Sequence, residues 1–258
     1  MTQPFPAAAR PAPGVLIVGA TSAIAAVVAR HYAALGARLV VTGRDGAKLD
    51  GVARELRAAG AAAVTAIVVD VLSAEERDDV IAAAAGALGR IDVALIAHGI
   101  LPDQAECDRN VAATLRAFEA NASSILALLV PLAAHMVAAH GGTIGVITSV
   151  AGQRGRRENY LYGAAKAAVS TYLQGLRSRL HPLGVAVVDI RPGPVRTPMT
   201  AHKRGRPWFV GAERAGTLTF HALRRRADVA YVPWWWGPVT VIVRLVPEWA
   251  FKRTNVRA

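Results

Sequence analysis

Short apolar runs rich in β-branched residues alternate with longer Ala-rich segments from residue 14 to about residue 232. The runs fall at 15–18, 39–42, 64–69, 93–97, 143–148, 185–190 and 229–232, and predict seven strands. Between them, 23–35, 47–59, 74–88, 111–139, 160–180 and 211–226 carry apolar residues at helical spacing. Each is long enough to return the chain to the same end of a sheet. The strand runs are continuously apolar rather than alternating, which implies cover on both faces, as in a parallel sheet packed between helices. The pattern predicts a doubly wound α/β fold with a seven-stranded parallel sheet and helices on both faces. Glycines at 36, 60, 89, 141–142 and 184 stand before strands two to six, where a left-handed residue can end a helix.

The ends differ from this middle. Residues 1–13 are rich in Pro and Ala and lack a basic start and an apolar core, so they read as a flexible lead rather than a signal peptide. Residues 14–232 form the predicted domain, with a substrate loop expected at about 196–212, and 233–258 form a basic, aromatic tail. The apolar stretch 231–243 is broken by Pro233, Gly237 and Pro238 and is too short to cross a bilayer, which takes about 20 residues.

At 258 residues and 53% hydrophobic, the chain can bury one large core, and disorder is excluded. One cysteine, Cys107, rules out an intrachain disulfide and Cys-rich zinc sites, and no metal is expected. The net charge of +12 attracts phosphate-bearing partners. Most of it lies in 201–258, where 11 Lys and Arg face only Glu213, Asp228 and Glu248. No zinc finger, leucine-zipper basic region or RNA-binding aromatic signature accompanies it, so nucleic acid is not the expected partner.

The candidate chemistry follows the strands in order. After the first comes Gly19-Ala20-Thr21-Ser22-Ala23-Ile24-Ala25, opening a helix where a dinucleotide pyrophosphate would meet free N–H groups. A full fingerprint has three glycines; Ala23 and Ala25 stand at the second and third places. After strand two, Gly43-Arg44 replaces the acid that would bind a ribose 2′-hydroxyl, and Arg44 suits a 2′-phosphate, favouring NADP(H) over NAD(H) unless it is simply solvated. Asp70, followed by Val71 after strand three, is placed either to accept from an adenine amine or to cap the next helix or turn. After strand five, Ser149 precedes Tyr162 by 13 residues, and Lys166 follows Tyr162 by one helical turn. A cation beside a phenol favours phenolate, which would bring proton transfer within reach near neutral pH, while Ser149 could hold a carbonyl oxygen.

The ordered set, from the glycine turn through Arg44, Asp70, Ser149-Val-Ala-Gly and Tyr162/Lys166 to Arg191-Pro-Gly-Pro-Val-Arg-Thr197, resembles the short-chain dehydrogenase/reductase family over roughly 14–232. The resemblance implies a Rossmann-type oxidoreductase in which Ser149 polarises a carbonyl, Tyr162 is the general acid in reduction, and Lys166 lowers the tyrosine pKa and binds the nicotinamide ribose. It also implies that Asn121 completes a proton relay and that Pro192, Gly193, Val195 and Thr197 lie beside the nicotinamide. Gly99 matches the glycine after strand four, but Ile96-Ala97-His98 stands where the family carries Asn-Asn-Ala. His98 either contacts ligand or serves packing. Tyr160 has no lysine four residues on and is a decoy.

A narrower resemblance links 153–159, the run from Arg191 to His202, and the Pro/Trp-rich end to reductases of decaprenylphosphoryl-2-keto-ribose and their relatives. It implies a lipid-linked keto-sugar as substrate. Arg154, Arg156 and Arg157 are candidates for a substrate phosphate, or a solvated loop. In the tail, Trp234-Trp235-Trp236, Trp249 and Phe251 with Arg244, Lys252 and Arg253 suit a bilayer surface, or cover the core or a subunit contact. The expectation is a cytoplasmic enzyme, peripheral on the inner face of the membrane if the tail binds lipid, and a homo-oligomer by family habit. A soluble-substrate alcohol dehydrogenase or ketoreductase, and a cofactor-binding module without turnover, are the alternatives.

Overall fold

The computed structural model describes residues 12–203 and 208–254. Residues 1–11 of the lead, 204–207 of the substrate loop, 255–258 of the tail and the side chains of His202 and Lys203 lie outside the described residues. In chain order the first half comprises β1 (Gly14–Val18), α1 (Ala23–Ala33), β2 (Arg38–Gly43), α2 (Gly46–Ala58), β3 (Ala63–Val68), α3 (Ala74–Leu88), β4 (Val93–Ile96), α4 (Gln104–Cys107), α5 (Val111–Phe118) and α6 (Ser124–Ala138). The second comprises β5 (Gly142–Ile147), α7 (Tyr160–Leu180), β6 (Val185–Pro192), β7 (Val195–Arg196), β8 (Val210–Gly211), α8 (Ala212–Arg224), β9 (Val229–Val232), α9 (Trp236–Leu245) and α10 (Glu248–Phe251).

Seven strands form one parallel sheet in the order β3-β2-β1-β4-β5-β6-β9. Alternation along β1 explains its two-sided burial. Leu16 and Val18 face a core filled by Val80, Leu128, Leu132 and Leu173, whereas Val15 and Ile17 face one filled by Val28, Leu49, Phe220 and Leu223. The strand order reverses between β1 and β4, the place where a doubly wound sheet opens a crevice beyond its carboxyl ends. Gly89, with φ +71°, ends α3 at the predicted place.

The expectation of continuous burial fails at the edge. β3 alternates between exposed and part-buried positions, with Val68 61% exposed, because an edge strand has neighbours on one side only. The single helix expected at 111–139 is interrupted by a π-helical turn at Glu119–Ser123, which places Asn121. This rod is long and apolar enough to cross a membrane by composition, yet Ile125, Leu128, Leu129 and Leu132 are fully buried in the core: it is a core helix. The small ladder β7–β8 closes the loop that the sequence assigned to substrate.

Candidate active site

A cleft of about 640 Å³ opens at the carboxyl ends of the strands, and the residues expected for proton transfer and for cofactor binding, from Gly19 to Thr197, line it. On the β1–α1 side, the backbone N–H groups of Gly19 and Ala20 both donate to the Thr42 carbonyl, at 3.1 and 2.9 Å. Gly19 has φ +79°, and a Cβ there would stand 2.8 Å from the backbone N of His98. Only glycine fits both demands. Thr21, Ser22, Ala23 and Ile24 carry the wall into α1. The Ser22 side chain makes no capping bond, whereas Asp45 and Ser73 cap α2 and α3 by accepting from Lys48 N and Glu76 N. Ala25, at the third glycine place, is fully buried, so that position serves packing.

Arg44 is exposed on the cleft wall, and buried Val71 lines it nearby. Asp70 also lines the cleft while its carboxylate accepts from Leu72 N at 3.1 Å, which is the turn-building role. Gly99 passes so close to its neighbours that a Cβ would lie 2.8 Å from Asn121 Oδ1 and 3.4 Å from Lys166 Nζ. A side-chain-free helix terminus and two close glycine approaches suit a nicotinamide dinucleotide.

On α7, the Lys166 ammonium lies 5.8 Å from the Tyr162 ring centroid and donates to the Ile147 carbonyl at 3.2 Å. The expected electrostatic order is reversed. Burial pushes the Tyr162 phenol up to about 12, with a Ser149 hydrogen bond pulling the other way, and burial brings Lys166 down to about 8 against the field of Asp189. Both charged forms lose water in the same enclosed place. The phenol is therefore neutral at ordinary pH, which is the form that donates a proton.

The π-helical turn holds Asn121 with both ends of its amide engaged: Nδ2 donates to the Ala117 carbonyl at 2.9 Å and Oδ1 accepts from Ile100 N at 3.0 Å. It thereby fixes the Gly99–Ile100 segment beside Lys166. Beneath Ser149, the Thr148 hydroxyl donates to buried Asp189 at 2.5 Å, and Arg191 pairs with the same carboxylate at 2.6 Å while donating to the Tyr231 hydroxyl at 3.1 Å.

His98 has a definite tautomer. Ser124 Oγ donates its one proton to the Glu119 carbonyl, so at 3.0 Å it must accept from His98 Nε2, leaving Nδ1 a buried acceptor without a partner. Burial, with Lys166 and Arg44 adding to it, holds the ring down to about 3. It is a neutral group of the cleft wall, which the sequence left undecided.

Across the cleft, Pro192, Gly193, Val195 and Thr197 line the end of β6 and the start of the substrate loop. Gly193 is pressed by the tail: a Cβ would meet the Trp236 indole nitrogen at 2.0 Å. Tyr160 is bonded to Asp108, away from Lys166. Arg154 is not available to a substrate phosphate. Its guanidinium donates to the carbonyls of Val243 at 2.7 Å and Val246 at 2.5 Å, pairs with Glu248 at 2.9 Å, and stacks on Phe251. Arg157 is exposed and outside the cleft lining, whereas Arg156 is buried and lines it. Arg156 and Trp236 were not separable from their neighbours in the sequence, because only the folded loops decide which arginine or tryptophan turns inward.

Residues 14–207 match the family model described as short chain dehydrogenase. The chain is 36% identical over 239 residues to an uncharacterised oxidoreductase of Mycobacterium tuberculosis, covering 93% of this chain and 96% of that one. It is 32% identical over 250 residues to an uncharacterised oxidoreductase of Streptomyces coelicolor, covering 96% and 98%. Among solved structures, a short-chain type dehydrogenase/reductase from Mycobacterium ulcerans superposes with TM-score 0.76 at 26% identity, over 85% of this chain and 88% of that one. One from Mycobacterium marinum gives 0.77 at 25%, over 85% and 93%. The names of these relatives give no substrate, and they do not carry the narrower resemblance to decaprenylphosphoryl-2-keto-ribose reductases.

Proposed function

The chain belongs to the short-chain dehydrogenase family, and from that premise we propose that this oxidoreductase uses NADPH to reduce a ketone to an alcohol. The observation that carries the reading is the convergence of Ser149, Tyr162 and Lys166 on one cleft with the uncapped start of α1. Bound NADPH would supply the hydride. The Ser149 hydroxyl holds the carbonyl oxygen, so that negative charge developing there meets a donor already in place. Tyr162 gives its phenolic proton to that oxygen, and Lys166 holds the ribose and offsets the charge left on the phenol. Asn121 keeps Lys166 and the Gly99 segment in register and completes the proton relay. Arg44 binds the 2′-phosphate, which favours NADPH over NADH.

The wider reading is a lipid-linked keto-sugar as substrate, with 233–258 in peripheral contact with the inner face of the membrane. Support comes from α9 and α10. Trp236 and Thr240 face the protein, while Val241 (53%), Ile242 (65%), Leu245 (75%) and Trp249 (64%) are exposed beside exposed Arg244, Lys252 and Arg253. Exposed Val111 and Leu115, one turn apart on α5, support assembly as a homo-oligomer.

Tyr162→Phe tests the chemistry: turnover should fall by about 10²–10⁴-fold while NADPH still quenches tryptophan fluorescence. An active Phe variant would remove the mechanism. Failure of the wild type to bind NADPH or NADH would favour a module without turnover. Flotation with anionic liposomes should be lost in Ile242→Glu/Leu245→Glu, and equal flotation of that variant counts against the membrane reading.

A further inference from the structure

The wall of the cleft carries an unbalanced charge. Arg44, Arg116, Arg156 and Lys166 line it against one acid, Asp70. Arg44 and Lys166 are assigned above to the cofactor and the phenol, which leaves Arg116 and Arg156. Arg116 is exposed, but Arg156 is only 7% exposed, and its Nε is buried without a hydrogen-bond partner.

Among the described residues one other arginine nitrogen is buried without a hydrogen-bond partner, Arg77 Nε, but Arg77 stands outside the cleft lining and its guanidinium donates to the Val71 carbonyl at 3.3 Å. Arg191 has Asp189 and Tyr231; Arg154 has the carbonyls at the end of α9. A guanidinium nitrogen taken out of water without an acceptor is costly, and burial lowers the Arg156 pKa, with exposed Glu158 the opposing charge. Arg156 lines the same cleft as Ser149 and Tyr162, so whatever it binds there shares that cleft with the proton donor. Ile100, Leu101, Met199 and Phe209 give the same cleft an apolar surface.

Building on the reductase reading, we propose that the cleft selects a ketone carrying an oxyanion, a phosphate ester or a carboxylate, and that Arg156 receives that group. Its planar fork donates two parallel hydrogen bonds to such an anion, which fixes the direction of the carbonyl as well as its distance. Arg156 is a positioning residue: it acts on the part of the substrate that does not react, and its contribution is felt as specificity.

The test compares dihydroxyacetone phosphate with dihydroxyacetone as a matched pair, together with phenyl phosphate binding followed by thermal shift without turnover. Wild type should favour the phosphate-bearing ketone in kcat/KM by roughly ten- to a hundredfold. Arg156→Gln should collapse that ratio, chiefly through KM, and Arg156→Lys should restore part of it. Phenyl phosphate should stabilise wild type and not Arg156→Gln. An unchanged ratio in Arg156→Gln, or phenyl phosphate stabilising both proteins equally, overturns the inference and leaves the reductase reading standing. If neither ketone is reduced and NADPH does not bind, the reductase reading falls, and the phenyl phosphate shift alone then decides whether Arg156 holds an anion. Should Arg156→Gln not fold, Arg156→Lys in the same two measurements decides: full wild-type discrimination and phosphate response counts for positive charge without the fork and overturns the fork geometry.

Discussion

The two sides of the cleft are made in different ways. On the side of β1, β2 and β4 the wall is mostly backbone: small residues at fixed offsets from strand ends, with Gly19 and Gly99 drawn close to their neighbours and α1 starting without a side-chain cap. On the side of β6 and the tail the wall is held by long side chains from distant segments. Arg154 reaches carbonyls 89 and 92 residues away, and Trp236 presses on Gly193. Recognition on the first side is a property of local chain geometry, and on the second it depends on which side chains meet.

Substitution at the two crowded glycines should separate these modes most sharply. Gly19→Val places a branched side chain at φ +79° against backbone, so a loss of about 3 kcal/mol or more in chemical denaturation is expected, with no single compensating change. Gly193→Ala meets a side chain instead. It should cost about 1–3 kcal/mol, and Trp236→Ala in the same protein should recover part of that loss, as a double-mutant cycle would read. Additivity of the pair would break the comparison.

Arg44→Ala comes next: NADPH affinity should fall roughly ten- to a hundredfold with NADH affinity nearly unchanged, measured by fluorescence titration. The smallest effect is on pH. Lys166 is brought down to about 8, so its charge is present below that pH and lost above it, whereas Tyr162 at about 12 keeps its proton throughout. Reduction should therefore decline as pH rises through about 8, and Lys166→Arg should move that limb upward. A limb unmoved by that substitution would place the titration elsewhere.

This division explains what could be read without coordinates. The five inner strands follow from local pattern, because inward positions on a covered parallel strand must be apolar. The edge strands β3 and β9 follow from the pattern as strands but not in their exposure, since nothing local marks a strand as an edge. Gly19, Ser149, Tyr162 and Lys166 were legible through spacing. The π-helical turn around Asn121 was not, because an inserted residue leaves the apolar period of 111–138 almost intact. Arg154 and Arg156 looked alike in sequence. One clamps the tail and the other enters the cleft, and the difference lies in contacts made only after 233–251 has folded back.

Arg154 sits five residues beyond Ser149 and seals the carbonyl end of α9. That stitch makes the last helices a structural neighbour of the chemistry rather than an appendage. Truncating the protein after β9 would strand the Arg154 guanidinium five residues from Ser149 and strip Gly193 of the indole leaning on it. A shortened enzyme should thus be compromised at its reaction centre even in assays where no lipid is present.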